Sequence, residues 1–203
     1  MEPDDLIHLI EPKISADMNE DLCRAFSPEE ISDALFQMGP LKAPGPDGLP
    51  ARFFERHWEV VKDDVVAAVQ GFFRDGYLPP GVNDTAIVLI PKGSDSVELK
   101  DFRPISLCNL IYKVISKCLV NRLRPILDSI ISVEQSAFVP RRLITDNALI
   151  AFECIHAIQR GSGKNFCAYK LDLSKAYDRV DWGFFKKKLM EKQAFKVSGC
   201  SGL

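Results

Sequence analysis

Residues 166–182 read Phe-Cys-Ala-Tyr-Lys-Leu-Asp-Leu-Ser-Lys-Ala-Tyr-Asp-Arg-Val-Asp-Trp. Cys167, Tyr169 and Leu171 recur at every second position, which predicts a strand with one covered face. Asp172 follows at the end of that strand, where a carboxylate is costly to bury without a partner. The partner can be a metal ion, but a helix start or a basic side chain would serve equally well.

The spacing of Asp172, Tyr177 and Asp178 resembles the first catalytic motif of reverse transcriptases. The following residues 179–182, Arg-Val-Asp-Trp, are similar to that motif in non-LTR (LINE-like) retrotransposon enzymes, in the style found in plant genomes. The resemblance implies that Asp172 ligates a metal ion and that the backbone carbonyl of Leu173 adds a second ligand. It also implies that Tyr177 is the aromatic side chain that excludes a ribose 2′-hydroxyl.

Two further stretches carry the same resemblance. Residues 42–48 read Lys-Ala-Pro-Gly-Pro-Asp-Gly, which is similar to a signature upstream of the fingers in LINE-like enzymes and implies a loop near the template strand. Residues 135–147 contain a Gln, a Phe, an Arg and an Asp-Asn pair in the family's order. Pro140 stands where the family usually has Gly, so the resemblance by itself assigns no template role to Arg141 or Arg142.

A strand over residues 85–90, a polar turn at 93–96 and a returning segment at 101–107 predict a hairpin. Lys92 and Arg103 lie on opposite arms, where they can either converge on an anion or remain two solvated cations. The surrounding Ile-Pro-Lys and Phe-Arg-Pro-Ile-Ser resemble the fingers motifs of reverse transcriptases. That resemblance implies that Lys92 and Arg103 bind the phosphates of the incoming nucleotide.

Helical periodicity and capping residues predict most of the remaining elements. The predicted helices are one starting at Ser27 with a capping box to Glu30, one over 51–74, one over 106–127 that Pro125 kinks or ends, one capped by Asp146 or Asn147 and one capped by Asp181. The helix after Asn147 is expected to bury one stripe, made of Ala148, Ala151, Phe152, Ile155 and Ile158. In the helix after Asp181, Phe185 and Leu189 are expected to face inward.

Charge is distributed unevenly along the 203 residues, although the net charge is only −2. Residues 1–35 contain 2 basic and 10 acidic residues, whereas residues 151–203 contain 10 and 5. The basic end therefore carries the Asp172 motif, as a phosphate-handling surface requires. The three lysines at 186–188 are equally well explained as a solvated helix face.

Several classes of protein are disfavoured by composition. There is no run of about 20 apolar residues, as a membrane helix needs, and the acidic N-terminus lacks the pattern of a secretion signal. The six cysteines include no Cys-x-x-Cys pair, which disfavours zinc and indicates mostly buried, reduced thiols. We expect an intracellular protein of the nucleus or cytoplasm that does not bind membranes.

The predicted fold class is α+β: helix-rich fingers with a small β-hairpin, plus the first strand and helix of a palm, in an incomplete right-hand polymerase fold. The expected division is an acidic segment at 1–26, a fingers-like region at 27–165 and the start of the palm at 166–203. In the family, two Mg²⁺ ions, an RNA template, a DNA primer and a deoxynucleoside triphosphate meet at this site.

The family's remaining metal ligands are an Asp-Asp pair after an aromatic-Ala strand, downstream of the first motif. The Asp-Asp pairs at residues 4–5 and 63–64 both precede Asp172, and neither follows an aromatic-Ala strand. We therefore expect a reverse transcriptase fragment that is inactive alone. The alternatives are a non-enzymatic remnant that binds nucleic acid or protein, and an unrelated metal-dependent phosphotransferase using Asp172.

Overall fold

A computed structural model describes residues 11–160, 169, 171 and 179–187. The predicted palm strand lies largely outside these ranges, as do Asp172, Leu173, Tyr177 and Leu189. Tyr169 and Leu171 are described; neither lies in a strand and both are exposed, so the predicted strand with one covered face is not observed at these two residues. The chain divides into two compact units: a first unit that includes residues 21–123, and a second unit that includes residues 11–20 and 124–160.

Helices dominate both units. The α-helices are α1 (Ala16–Cys23), α2 (Pro28–Phe36), α3 (Ala51–Arg56), α4 (Trp58–Asp75), α5 (Leu110–Leu123), α6 (Leu127–Ile130), α7 (Ile144–Arg160) and α8 (Trp182–Lys187). Two strands, β1 (Thr85–Pro91) and β2 (Phe102–Cys108), form an antiparallel sheet. Short 3₁₀ turns cover Leu99–Asp101 and Arg124–Ile126.

The core of the first unit lies where α2 packs against α4 and α5. Ile31 and Leu35 on α2, Val69 on α4 and Val114 on α5 are completely buried. Each such side chain stabilises the fold by roughly 1.5–3 kcal/mol through burial. These four residues therefore explain why the three helices associate.

Local signals fix the start of α2, as predicted. Ser27 is the N-cap and its hydroxyl accepts from the Glu30 amide at 3.2 Å, while the Glu30 carboxylate accepts from the Ser27 amide at 3.0 Å. This reciprocal pair satisfies two amides that the first turn would leave unpaired.

The predicted single helix over 51–74 is wrong in one respect. His57 leaves the helical conformation (φ −106°, ψ 20°), so that α3 ends at Arg56 and α4 begins at Trp58. The apolar spacing on each side of His57 is helical, which is why the break leaves no mark on the periodicity.

The hairpin forms as predicted, with the arms in antiparallel register from Thr85 opposite Cys108 to Pro91 opposite Phe102. The predicted helix over 106–127 is shorter than expected. Residues 106–108 pair with β1 instead, so α5 begins at Leu110. As Pro125 predicts, the helix stops at Leu123 and a 3₁₀ turn follows.

Arg122, near the end of α5, ties the first unit together. Its guanidinium forms a two-pronged pair with the Glu30 carboxylate (3.1 and 2.9 Å) and lies 3.3 Å from the centroid of the Phe26 ring. It also donates to the backbone carbonyls of Leu22, Arg24 and Ala25. Its side chain is only 8% exposed. One side chain thereby joins α5 to the segment that leads into α2.

Burial alone would raise the pKa of Glu30. The Arg122 hydrogen bond, the Ser27 amide and the positive charges of Arg122 and Arg24 outweigh that effect and hold the pKa below its usual value.

In the second unit, the prediction that α7 buries one apolar stripe is wrong. All five of its residues are exposed, because no described element covers that face of the helix. The capping prediction is also wrong. The helix begins at Ile144, and Asp146 sits in its first turn, where its carboxylate accepts from the Leu143 amide.

The last described helix, α8, starts as predicted. The Asp181 carboxylate accepts from the Phe184 amide at 2.9 Å. Phe185, however, is 44% exposed rather than inward-facing, since no described element packs over it.

The architecture is α+β, as predicted: helices with a two-stranded antiparallel sheet, consistent with part of a polymerase domain. No helix within the described ranges is long and apolar enough to cross a membrane. Of the four cysteines described, Cys118 is buried, Cys23 and Cys108 are half-buried and Cys154 is exposed. The expectation of mostly buried thiols is therefore only partly met.

Candidate nucleotide-binding and nucleic-acid-binding sites

The hairpin register decides how Lys92 and Arg103 are related. Arg103 lies opposite Ile90, and the Lys92 amide donates to the Asp101 carbonyl at 2.8 Å, which extends the ladder by one residue. Residues opposite each other or two apart on a strand share a face. Lys92 and Arg103 are therefore diagonal neighbours on one face, a relation in which Cα atoms are roughly 7–8 Å apart.

Both cations are exposed, and neither forms an ion pair with any described residue. The Lys92 ammonium donates to the Lys100 carbonyl at 2.6 Å, so its side chain lies along the turn. The Asp101 carboxylate faces the turn as well, where it accepts from the amides of Val97 and Glu98. The arrangement presents two cationic donors on one open face of the hairpin.

Asn109, between the hairpin and α5, fixes the base of the hairpin. Its side chain is buried; Oδ1 accepts from the Asp47 amide at 3.2 Å and Nδ2 donates to the Gly81 carbonyl at 2.9 Å. A Cβ added at Gly45 would lie 2.2 Å from Asn109 Oδ1 and 2.5 Å from the Cys108 carbonyl carbon. The loop of residues 42–48 therefore packs directly against the end of β2, and only glycine fits at position 45.

A groove of about 420 Å³ lies between this loop and α5. Lys42 comes from the loop and Lys113 and Lys117 come from the helix, while no acidic residue of the described chain lines the groove. Lys113 donates to the Ala43 carbonyl at 3.0 Å, which holds the loop against the helix. Three ammonium groups with no acidic residue among the described lining give the groove a positive charge.

The metal-ligand prediction falls on residues outside the described ranges, since neither Asp172 nor Leu173 is described. Within those ranges there is no group of three or more His, Cys, Asp or Glu side chains that could hold a metal ion. Tyr177 is likewise outside the described ranges, so its position relative to Lys92 and Arg103 stays a prediction.

Sequence reasoning missed Asn109 and Lys42. The position of Asn109 could have indicated its role, because a polar residue between a strand and a helix often forms hydrogen bonds with the backbone. Lys42 lies within residues 42–48, but its place in one groove with Lys113 and Lys117 depends on a contact between segments 70 residues apart in the chain.

Residues 90–200, more than half of the chain, match the family described as "Reverse transcriptase (RNA-dependent DNA polymerase)". The chain belongs to this family.

Its relatives include three proteins of mobile elements. It is 34% identical to the "Transposon TX1 uncharacterized 149 kDa protein" of Xenopus laevis over 170 residues, 84% of this chain and 13% of that protein. It is 24% identical to the "Retrovirus-related Pol polyprotein from type-1 retrotransposable element R1" of Bradysia coprophila, over 82% of this chain and 16% of that protein. It is 29% identical to the corresponding polyprotein from type-2 retrotransposable element R2DM of Drosophila melanogaster, over 68% of this chain and 12% of that protein.

These matches confirm the prediction of a reverse transcriptase fragment from a non-LTR retrotransposon. The chain spans about an eighth to a sixth of the length of these relatives. The plant affiliation stays a prediction.

Proposed function

We propose that this chain supplies the nucleotide-binding hairpin and part of the template-binding surface of an RNA-directed DNA polymerase. The observation that carries the proposal is the shared face of Lys92 and Arg103 on an exposed hairpin. The substrates are an RNA template, a DNA primer and a deoxynucleoside triphosphate. Family membership supports the general chemistry, and the hairpin supports the particular residues.

The triphosphate is the ligand that suits this face. It carries several negative charges on adjacent phosphates, and charge-assisted hydrogen bonds to such groups are the strong ones. Arg103 offers a planar fork for two phosphate oxygens, whereas Lys92 offers a point charge that can leave the Lys100 carbonyl for a phosphate. These two residues bind and orient the triphosphate in the proposal.

Asp172, the Leu173 carbonyl and Tyr177 complete the proposed site by resemblance to the family's first motif. Magnesium, held by Asp172 and the Leu173 carbonyl, would supply the charge that nucleotidyl transfer requires. The described residues offer no ligand set of their own for this ion. The chain is expected to bind the nucleotide, and the metal assignment rests on Asp172 and Leu173.

The hairpin assignment is tested by titrating the chain with a fluorescent deoxynucleoside triphosphate. Lys92→Ala and Arg103→Ala are each expected to weaken binding by about tenfold, the loss of a charge-assisted contact. Lys100→Ala is the matched control, because Lys100 is exposed on the same hairpin and pairs with Glu98. Equal affinities for all three variants would contradict the proposal.

The metal assignment is tested separately with Asp172→Asn. In any preparation of the chain that extends a primer, this change is expected to abolish extension while leaving triphosphate binding without metal unaltered. Extension that persists would reject Asp172 as an essential ligand.

A second candidate function, nucleic-acid binding without catalysis, is favoured by the lysine groove. Single-stranded RNA loses affinity with salt in proportion to the phosphates neutralised. The double change Lys42→Gln and Lys117→Gln removes two cations and keeps the Lys113 bond to the loop. It should reduce the slope of log affinity against log salt by about 1.4. An unchanged slope would exclude the groove as the binding surface.

A further inference from the structure

The loop of residues 134–142 holds two side chains in an unusual backbone conformation. Within the described ranges, Phe138 (φ 66°) and Arg141 (φ 67°) are the two non-glycine residues with a positive φ. This left-handed region disfavours residues with a Cβ, and bulky ones are outliers there. A glycine or asparagine would adopt it more easily, so the ring at position 138 is not explained by the backbone.

Packing does not explain the ring either. Phe138 is 98% exposed, the highest value of any large apolar side chain described. Its neighbours in the same loop are held inward, since Ser136 and Val139 are each only 7% exposed. The loop therefore presents the aromatic ring to solvent while burying Ser136 and Val139.

The loop that presents Phe138 is built as a rigid support. Arg142, only 14% exposed, donates six hydrogen bonds that tie the loop to residues 128–135. The acceptors are the Asp128 carboxylate and the backbone carbonyls of Asp128, Ile131, Ser132 and Gln135. Asn147 adds a bond of 2.9 Å to the Ser136 hydroxyl. Strained residues held by a surrounding network of this kind cluster at functional sites.

Arg141 supplies a cation three residues from the ring. It is exposed, and among the described residues it has no ion-pair partner. An exposed aromatic ring and an exposed cation in one short loop suit a nucleobase and its phosphate, because bases stack on aromatic side chains and phosphates bind guanidinium groups. A protein partner would need both an apolar pocket for the ring and an acidic group for Arg141, whereas every nucleotide carries a base and a phosphate.

We propose that Phe138 is a stacking platform for one base of a single-stranded nucleic acid, with Arg141 contacting an adjacent phosphate. The inference rests on the proposed function, which makes single-stranded template the ligand, and it deepens that function by naming a residue that positions the strand. Stacking contributes to affinity without reading sequence, so the platform should accept any base.

The test uses the chain and a single-stranded RNA of roughly 12 nucleotides that carries one 2-aminopurine. Phe138→Ala and Phe138→Leu should each weaken binding by about tenfold and abolish the fluorescence quenching that stacking causes. Phe138→Trp should retain both. The matched control is Tyr77→Ala, which removes another aromatic side chain that is 62% exposed.

Two further measurements separate stacking from a structural role. An abasic version of the RNA should bind wild type and Phe138→Ala equally, because no base remains to stack. The urea midpoint of Phe138→Ala should equal that of wild type, because a ring that is 98% exposed contributes no burial.

Three results would overturn the inference. Phe138→Ala could bind RNA as tightly as Tyr77→Ala, which would remove the platform and leave the proposed function intact. Phe138→Leu could bind like wild type while Phe138→Ala unfolds more easily, which would mean that the ring packs against protein. Failure of the wild-type chain to bind any single-stranded RNA would instead refute the proposed function.

Discussion

Replacing Arg122 with methionine tests the contact that joins α5 to the start of α2. The change removes the two-pronged pair with Glu30 and the three carbonyl bonds, and it keeps an apolar stem over Phe26. Orphaning a fully buried charge costs about 3–5 kcal/mol. The Glu30 side chain is 29% exposed, so water can hydrate its carboxylate once Arg122 is removed. The expected loss in the free energy of unfolding is therefore about 2–3 kcal/mol.

Urea denaturation measures this loss. Trp58 lies on α4 and packs against the core of the first unit, so a Trp182→Phe background leaves Trp58 as the reporter of that unit. Arg122→Lys should lose about half as much, since it keeps the charge but not the fork. The matched control is Arg74→Met, because the Arg74 side chain is 76% exposed and pairs with Asp75 on the surface.

A double-mutant cycle with Glu30→Gln isolates the ion pair. The double variant should be at least about 1 kcal/mol more stable than the sum of the two single losses predicts. The reasoning is refuted if Arg122→Met shifts the midpoint no further than Arg74→Met, or if the two single losses simply add.

Three other predictions concern Gly45, Glu30 and two of the described thiols. Gly45→Ala should destabilise by about 2–3 kcal/mol in urea, because the added Cβ meets Asn109 and Cys108 at 2.2–2.5 Å. Gly48→Ala, with open space but φ +71°, should cost only about 1 kcal/mol; equal losses would reject the close approach. The pKa of Glu30 is lowered from 4.5 because the Arg122 and Ser27 bonds outweigh burial. The ionised Glu30 carboxylate therefore stabilises the fold above pH 4.5. The difference in urea midpoint between wild type and Glu30→Gln should vanish as the pH falls through the lowered pKa of the folded state. Burial, with a contribution from the Glu30 charge, raises the pKa of Cys118 to about 12. Peptide mass mapping should then find alkylation of the exposed Cys154 in native protein and of Cys118 only in denaturant.

Features set by neighbouring residues were predictable from the sequence. The capping box of Ser27 and Glu30, the hairpin arms and the Asp181 cap all depend on residues within a few positions or on a short turn. Lys92 and Arg103 lie on one face of the hairpin, as the predicted pairing implies. Their role in binding phosphates stays a prediction. Local chemistry was sufficient in these cases because the competing conformations offer no better partners.

Features that depend on distant residues were not predictable. Arg122 reaches Glu30 across 92 residues, and nothing in either local sequence marks the pair. The start of α5 was misplaced because residues 106–108 suit a helix or a strand, and pairing with β1 decides between them. The stripe of α7 has a sound helical pattern, but a pattern alone does not say whether anything packs on it.

The way Asn109 holds the hairpin has a mechanical consequence. Each arm has seven residues, which makes the hairpin a beam roughly 24 Å long. The base of the hairpin is held by the buried side-chain amide of Asn109, which forms hydrogen bonds with the backbone of residues 47 and 81. A force applied at the hairpin tip, near Lys92, therefore acts on the Asn109 hydrogen bonds through the length of the hairpin. Because Asn109 also bonds to residue 47, we expect movement of the tip to act on the loop that carries Lys42.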